Sequence, residues 1–326
     1  MTTEDPRHEP RESKQEPRES KHELRPEVAP ASPEAPCCPS CAGAGTPSQS
    51  WVYTLGKLDV RFPSLGIERE FRQREARMPA AKSEGLSRRH RVRQVLAVNP
   101  HLAMRVCYVF HVGGLAAYVV VPTGAHVRDE LLEGLVRSEK PDSYCLLIGR
   151  RGPVCRPEMC GGLLAPVIAC DQLYSFDMDE WRSILETAVG TALGARKIKA
   201  ETFAATARDV FDRVSTSLEN LGATDEHRAL NYLLMQHPGL FLAVAERSGK
   251  QVLDRIETRL VQGAGARRMV LVIVTFLDVT TGVPERLFCR VDVTEEWPFL
   301  ADDIDGRRSP LGLLPYVETG MLGMPY

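Results

Sequence analysis

Two apolar runs, Cys107–Val112 and Leu115–Val121, are separated only by Gly113 and Gly114. Glycine at both central positions supplies the positive φ angles of a two-residue hairpin turn, so this stretch predicts two paired antiparallel strands. A second group of strand candidates lies near the other end: Val252–Leu260, Met269–Val279 and Glu285–Val293, the last two joined by the short link from Thr280 to Pro284. Between the groups the apolar period lengthens. Phe203, Ala207, Val210, Phe211, Val214, Leu218 and Leu221 recur by threes and fours and fall on one helical face. Strands in succession with helices grouped beside them predict an α+β fold, not a doubly wound α/β sheet. The expected architecture is an N-terminal mixed sheet subdomain with helices, then a helical segment packed on a C-terminal antiparallel three-stranded meander.

Local signals fill in the rest. Ser87 opens a basic helix that Asn99 and Pro100 interrupt. Val127, Leu131, Leu132 and Leu135 mark a short helix, Tyr144–Gly149 and Leu164–Cys170 read as strands, and Asp177 caps a helix through Trp181, Ile184 and Leu185. The Gly, Ala and Lys content of Thr187–Glu201 predicts a boundary. Gly222 stops the next helix, Thr224 caps another, and Pro238 ends that one. Accordingly, 1–36 is expected to be a disordered, charged, Pro-rich tail and 37–50 a Cys-containing linker. Two α+β subdomains follow at 51–190 and 200–300, with 301–326 poorly ordered. The tail repeats Glu9–Gln15 as Glu16–His22, but the prolines at 10 and 17 exclude a coiled coil.

A chain of 326 residues with 43% hydrophobic side chains can bury a sizeable core, and its formal charge of -2 creates no global field for nucleic acid or anionic lipid. The longest apolar runs fall short of the ~20 residues that span a bilayer, and the first residues lack an apolar signal core. A cytoplasmic location with no membrane and no nucleic acid is the expectation. Nine cysteines, odd in number and unevenly spaced, predict reduced thiols in place of a disulfide framework.

Among those cysteines, Cys38 and Cys41 have the spacing at which two thiolates meet one tetrahedral zinc ion, and Cys155 and Cys160 form a second pair. A structural zinc held by Cys38, Cys41, Cys155 and Cys160 is one expectation, with Cys170 or a histidine as substitutes. A redox dithiol or thiols without a role are the others. Cys107, Cys145 and Cys289 stand in strand patterns and read as small core residues. Asp225, His227, Arg228 and Asn231 make the densest polar cluster. They suit a partner contact, acid–base chemistry or simply a capped helix start. The basic run Arg88, Arg89, His90, Arg91 and Arg93 suits a solvated face or an acidic leader peptide, and Asp292, Glu295, Glu296, Asp302, Asp303 and Asp305 make the opposite patch. No nucleophile elbow, zinc-protease helix, phosphate loop or dinucleotide fingerprint occurs, and no catalytic residue is assigned.

Five separated phrases carry a resemblance: Trp51–Leu65, Arg151–Pro153 with Pro157–Cys160, Asp171–Phe176, Gly222–Tyr232 and Arg290–Leu300. In this order they resemble the C-terminal region of the cyanobactin maturation proteases, the PatG type, over roughly residues 38–300. In that family the region follows a subtilisin-like domain that processes ribosomally made peptides, and its own role is unknown. The resemblance leaves no room here for a protease domain and carries over no triad. It implies an accessory protein that binds a precursor peptide or a processing enzyme. The alternative is an unrecognised peptide-modifying enzyme of the same kind of pathway.

Overall fold

The computed structural model describes residues 50–79, 85–215, 220–262, 266–301 and 313–316. In the first half β1 (Trp51–Arg61), β2 (Cys107–Val112), β3 (Leu115–Pro122), β4 (Ser143–Val154) and β5 (Pro166–Asp177) close into a barrel in the order β1-β2-β3-β5-β4. The β3–β5 pairing is parallel and the others are antiparallel, so the sheet is mixed as expected. Its hairpin turns at Gly113 and Gly114, with φ of 57° and 84°.

Helices α1 (Leu65–Ala76), α2 (Arg88–Val98), α3 (Pro100–Ala103) and α4 (Ala125–Arg137) accompany the barrel. The apolar face of α4 packs against β1, β3, β4 and β5. Val127, Leu131, Leu132 and Leu135 of α4 share one core with Tyr108, Phe110, Val120, Leu147 and Ile168. Strand β1 and helix α1 were not legible in the sequence. Val52, Leu58 and Val60 enter that core while Tyr53 and Leu55 enter another. Burial on both faces erases the alternation by which a strand is recognised.

The second half begins at Asp177, whose side chain accepts the Glu180 N–H in a reciprocal capping box. Helix α5 (Met178–Arg196) runs straight through the expected boundary at Thr187–Glu201. Trp181, Leu185, Val189 and Leu193 recur every four residues on its buried face, and this stripe carries the helix through its Ala and Gly content. The break shrinks to the few residues after Arg196, with Lys197 in the left-handed region at φ 56°. Helices α6 (Ala200–Ser215), α7 (Asp225–Gln236) and α8 (Pro238–Arg247) follow. Phe203, Ala207, Val210 and Phe211 are buried as the period predicts. Leu221 lies beyond α6 and is 37% exposed, and Leu218 falls outside the described residues.

Strands β6 (Gln251–Gln262), β7 (Arg268–Asp278) and β8 (Pro284–Asp292) make the antiparallel meander. Two short strands, β9 (Phe299–Leu300) and β10 (Leu314–Pro315), add to β8. The second of these brings part of the stretch after residue 300 into the sheet. One apolar core reaches from Tyr53 and Leu55 of β1, through Trp181 and the helices, to Val270, Val291 and Leu313. Trp181 stands at its centre, 4.9 Å from the Phe211 ring and 5.2 Å from that of Phe241. No helix among the described residues is long and apolar enough to cross a membrane.

Candidate functional site

Strand β1 pairs with β2 only from Lys57 to Arg61. Nearer its start, the backbone of Tyr53 turns to the helical half: its N–H donates to the Gly222 carbonyl at 3.0 Å, and its carbonyl accepts from Asn231 Nδ2 at 2.9 Å. An amide side chain thus does the work of a neighbouring strand. Gly222 sits at φ 72°, and a Cβ there would fall 2.5 Å from the Tyr53 oxygen, so only glycine lets the loop approach so closely. Asn220 Nδ2 donates to Asn231 Oδ1 at 2.7 Å, and the Tyr118 hydroxyl donates to the Leu221 carbonyl at 2.9 Å.

One turn earlier on α7, the Arg228 side chain is 1% exposed. Its guanidinium donates to the carbonyls of Val293 at 2.7 Å, of Glu296 at 3.1 Å and of Glu295. Asp225 lies 3.6 Å from it and also accepts from Arg268 Nε at 2.7 Å. Burial pulls Arg228 down to about 10 from the usual guanidinium value, with Asp225 opposing that shift. Of the four residues expected to meet a partner, Asp225, Arg228 and Asn231 are therefore buried and engaged within the chain itself. His227 gives its backbone N–H to the Thr224 hydroxyl, which caps α7 as the sequence predicts.

Arg89, Arg91 and Arg93 of the basic run on α2 are also paired internally. Arg89 donates to the Leu58 carbonyl at 2.9 Å, Arg91 stands 3.4 Å from Glu75, and Arg93 stands 3.0 Å from Glu133. Within the acidic patch Asp292 is buried and accepts the Thr294 N–H, while Asp302, Asp303 and Asp305 fall outside the described residues.

What remains open to solvent beside the buried joint is a ledge of aromatic and carboxylate groups. Arg150 lies over the Trp51 ring at 5.8 Å and stands 3.4 Å from Asp171. Gln172 bridges to the bend between β8 and β9, donating to Glu296 Oε1 at 3.2 Å, and its own oxygen accepts from the Tyr174 hydroxyl at 2.5 Å. Trp297 is half-buried, with its ring 6.1 Å and edge-on from both Tyr53 and Tyr174. Tyr174 itself is 47% exposed. None of these residues stood out by spacing. The signal was that Trp51, Asp171–Tyr174 and Glu296–Trp297 belong to three of the five phrases quoted above, which the fold brings to one place.

The cysteines are rearranged relative to expectation. Cys107 and Cys160 form a disulfide across 53 residues, so Cys107 is no isolated core thiol and the expectation of reduced thiols throughout is corrected. A sulfur already bonded to sulfur offers no thiolate, so the oxidised chain cannot present the quartet Cys38, Cys41, Cys155 and Cys160 to zinc. Cys38 and Cys41 lie outside the described residues, and no group of three or more His, Cys, Asp or Glu among the described residues is placed to hold a metal ion. Cys145, Cys170 and Cys289 are free and buried, and burial raises the pKa of each, to about 12 for Cys170 and Cys289. Cys155 is free and buried beside the disulfide.

A solved structure described as a PatG domain of unknown function shares this fold, with a TM-score of 0.56 at 19% identity over 78% of this chain and 97% of that one. No curated protein matches the chain. Residues 197–305, which hold α6 to α8, the meander and both sides of the Arg228 joint, match the PatG C-terminal family model, and the chain thus carries a domain of the PatG C-terminal type.

Proposed function

We propose that this chain is a cytoplasmic accessory protein that binds a partner without altering it chemically. Its partner is a precursor peptide, or an enzyme acting on one, in the maturation of a ribosomally made peptide of the cyanobactin kind. The observation that carries this reading is the ledge of Tyr174 and Trp297. Two aromatic rings, Tyr174 from β5 and Trp297 from the bend between β8 and β9, pack edge-on beside Tyr53 and the Gln172–Glu296 hydrogen bond, and Tyr174 is open to solvent. Rigid Tyr and Trp side chains give large contact area at small entropic cost, and they dominate binding energy at interfaces. The ionisable groups there are bound to neighbours: Asp171 to Arg150, Glu296 to Gln172. Such an arrangement favours contact over proton transfer.

The test is titration of the full chain into each labelled small peptide that its neighbouring genes encode, with binding read by fluorescence anisotropy. Tyr174→Ala and Trp297→Ala should each weaken binding about tenfold or more, while Arg91→Ala on the internally paired basic face leaves it unchanged. Equal affinities for the ledge variants and the unmodified chain would overturn the assignment of the site. A change in peptide mass caused by the chain alone would overturn the non-catalytic reading.

A further inference from the structure

Three cysteines share one small buried cluster. Cys107 opens β2, and Cys155 and Cys160 lie on the loop between β4 and β5. All three are buried, at 6%, 3% and 1% exposure, in a small cluster of their own with Val119 and Ala165. This cluster is separate from the two main cores. Two of the sulfurs are bonded to each other and the third is a free thiol. The loop is pinned at its base, where the Cys155 N–H donates to the Ala165 carbonyl at 2.8 Å. At its tip the backbone is unusual: Cys160, Gly161 and Gly162 all have positive φ, of 50°, 66° and 83°. Glycine adopts that region freely, but a residue with a Cβ pays about 1–2 kcal/mol for it. Cys160 thus combines a strained backbone with a disulfide bond, in the same buried cluster as a free thiol.

We propose that Cys155, Cys107 and Cys160 form a thiol–disulfide exchange centre, in which the Cys107–Cys160 bond is traded for Cys107–Cys155 and the Cys160 turn is released. The Cys155 thiol gives up its proton to water, and its sulfur attacks Cys107 Sγ to form a new S–S bond. The electron pair of the old bond leaves on Cys160 Sγ, which takes up a proton. One disulfide and one thiol stand on each side of the step, so no oxidant or reductant is consumed. Attack on Cys107 is the favoured direction because its leaving group is the strained residue. Once released, Cys160 can relax to negative φ, while Cys155 ties the base of the loop to β2. In a cytoplasmic setting such as that proposed above, disulfides are as a rule transient or redox-sensing, which suits a bond with a built-in competitor. The centre does not depend on the aromatic ledge.

The experiment is disulfide mapping on the full chain. Protein purified without reductant is held at pH 8 with a trace of reduced glutathione, quenched in acid, alkylated and digested, and linked peptides are identified by mass spectrometry. Both the Cys107–Cys160 and Cys107–Cys155 linkages are expected, with alkylated Cys160 rising as the second forms. Cys155→Ser should leave only the first linkage. Cys160→Ser, checked by circular dichroism to be folded and treated with an excess of oxidised glutathione as the two-electron oxidant, should form Cys107–Cys155. Finding only Cys107–Cys160 in the unmodified chain at every time point would overturn the exchange. So would two thiols at 107 and 155 that stay unlinked to each other in folded Cys160→Ser protein after that oxidation.

Discussion

Arg228 shows how much one buried charge can be asked to hold. Its fork reaches the carbonyls of Val293, Glu295 and Glu296, and it does so from the first turn of α7. Replacing it with alanine removes the donor from those acceptors and one of the two cations beside Asp225. We expect Arg228→Ala to cost about 3 kcal/mol, read as a lower urea midpoint at unchanged slope. Arg228→Lys should recover less than half of that, because a single ammonium cannot reach three carbonyls. In the sequence Asp225, Arg228 and Asn231 were visible as a polar cluster on one stretch of helix. Whether they faced solvent or the interior was not, because the partners that bury them come from Tyr53 and from Val293 to Glu296, far away in the chain.

At the scale of elements, the β7–β8 turn is closed by one carboxylate. The Asp278 carboxylate accepts the N–H groups of Thr280 at 2.9 Å and Thr281 at 2.8 Å, together with the Thr281 hydroxyl. Hydrogen bonds from Thr281 and then Thr280 hold its pKa below the usual carboxylate range. A carboxylate whose folded pKa is depressed stabilises the fold above its unfolded value of about 3.9 and loses that contribution as pH falls through the folded value. Melting temperatures measured from pH 6 to pH 2 should therefore fall less steeply for Asp278→Ala than for the unmodified chain, and the variant should already melt lower at pH 6. Parallel curves would show that the turn contributes nothing to the titration. The hairpin itself was legible from its flanking strands and short link. The length of α5 was missed, because the Gly, Ala and Lys content of Thr187–Glu201 hid the four-residue stripe that runs from Trp181 to Leu193. Tertiary packing of that stripe on Phe211 and Phe241 outweighs the low propensity of its glycines.

For the whole molecule, the matched family region and the folding unit do not coincide. Residues 197–305 contain α6 to α8 and the meander, yet their core is completed by Tyr53, Leu55, Leu146, Ile148, Trp181 and Leu185 from the first half. Residues 49–326 form one compact unit. A fragment of residues 197–305 should therefore behave as a molten state that binds hydrophobic dye and loses helical circular dichroism without a sharp transition. The full chain should melt in one step. A sharp, dye-free transition for the fragment would refute the shared core. The sequence by itself determined the α+β class, both hairpins, the caps at Asp177 and Thr224 and the apolar face of α6, because each depends on neighbours within a few residues. Tertiary structure alone decided that the barrel closes through a parallel β3–β5 pair and that Cys160 bonds to Cys107 instead of standing with Cys155. It also decided that Tyr174 and Trp297 share a ledge, since these are contacts between residues distant in the chain, and local periodicity carries no information about which distant surfaces will meet.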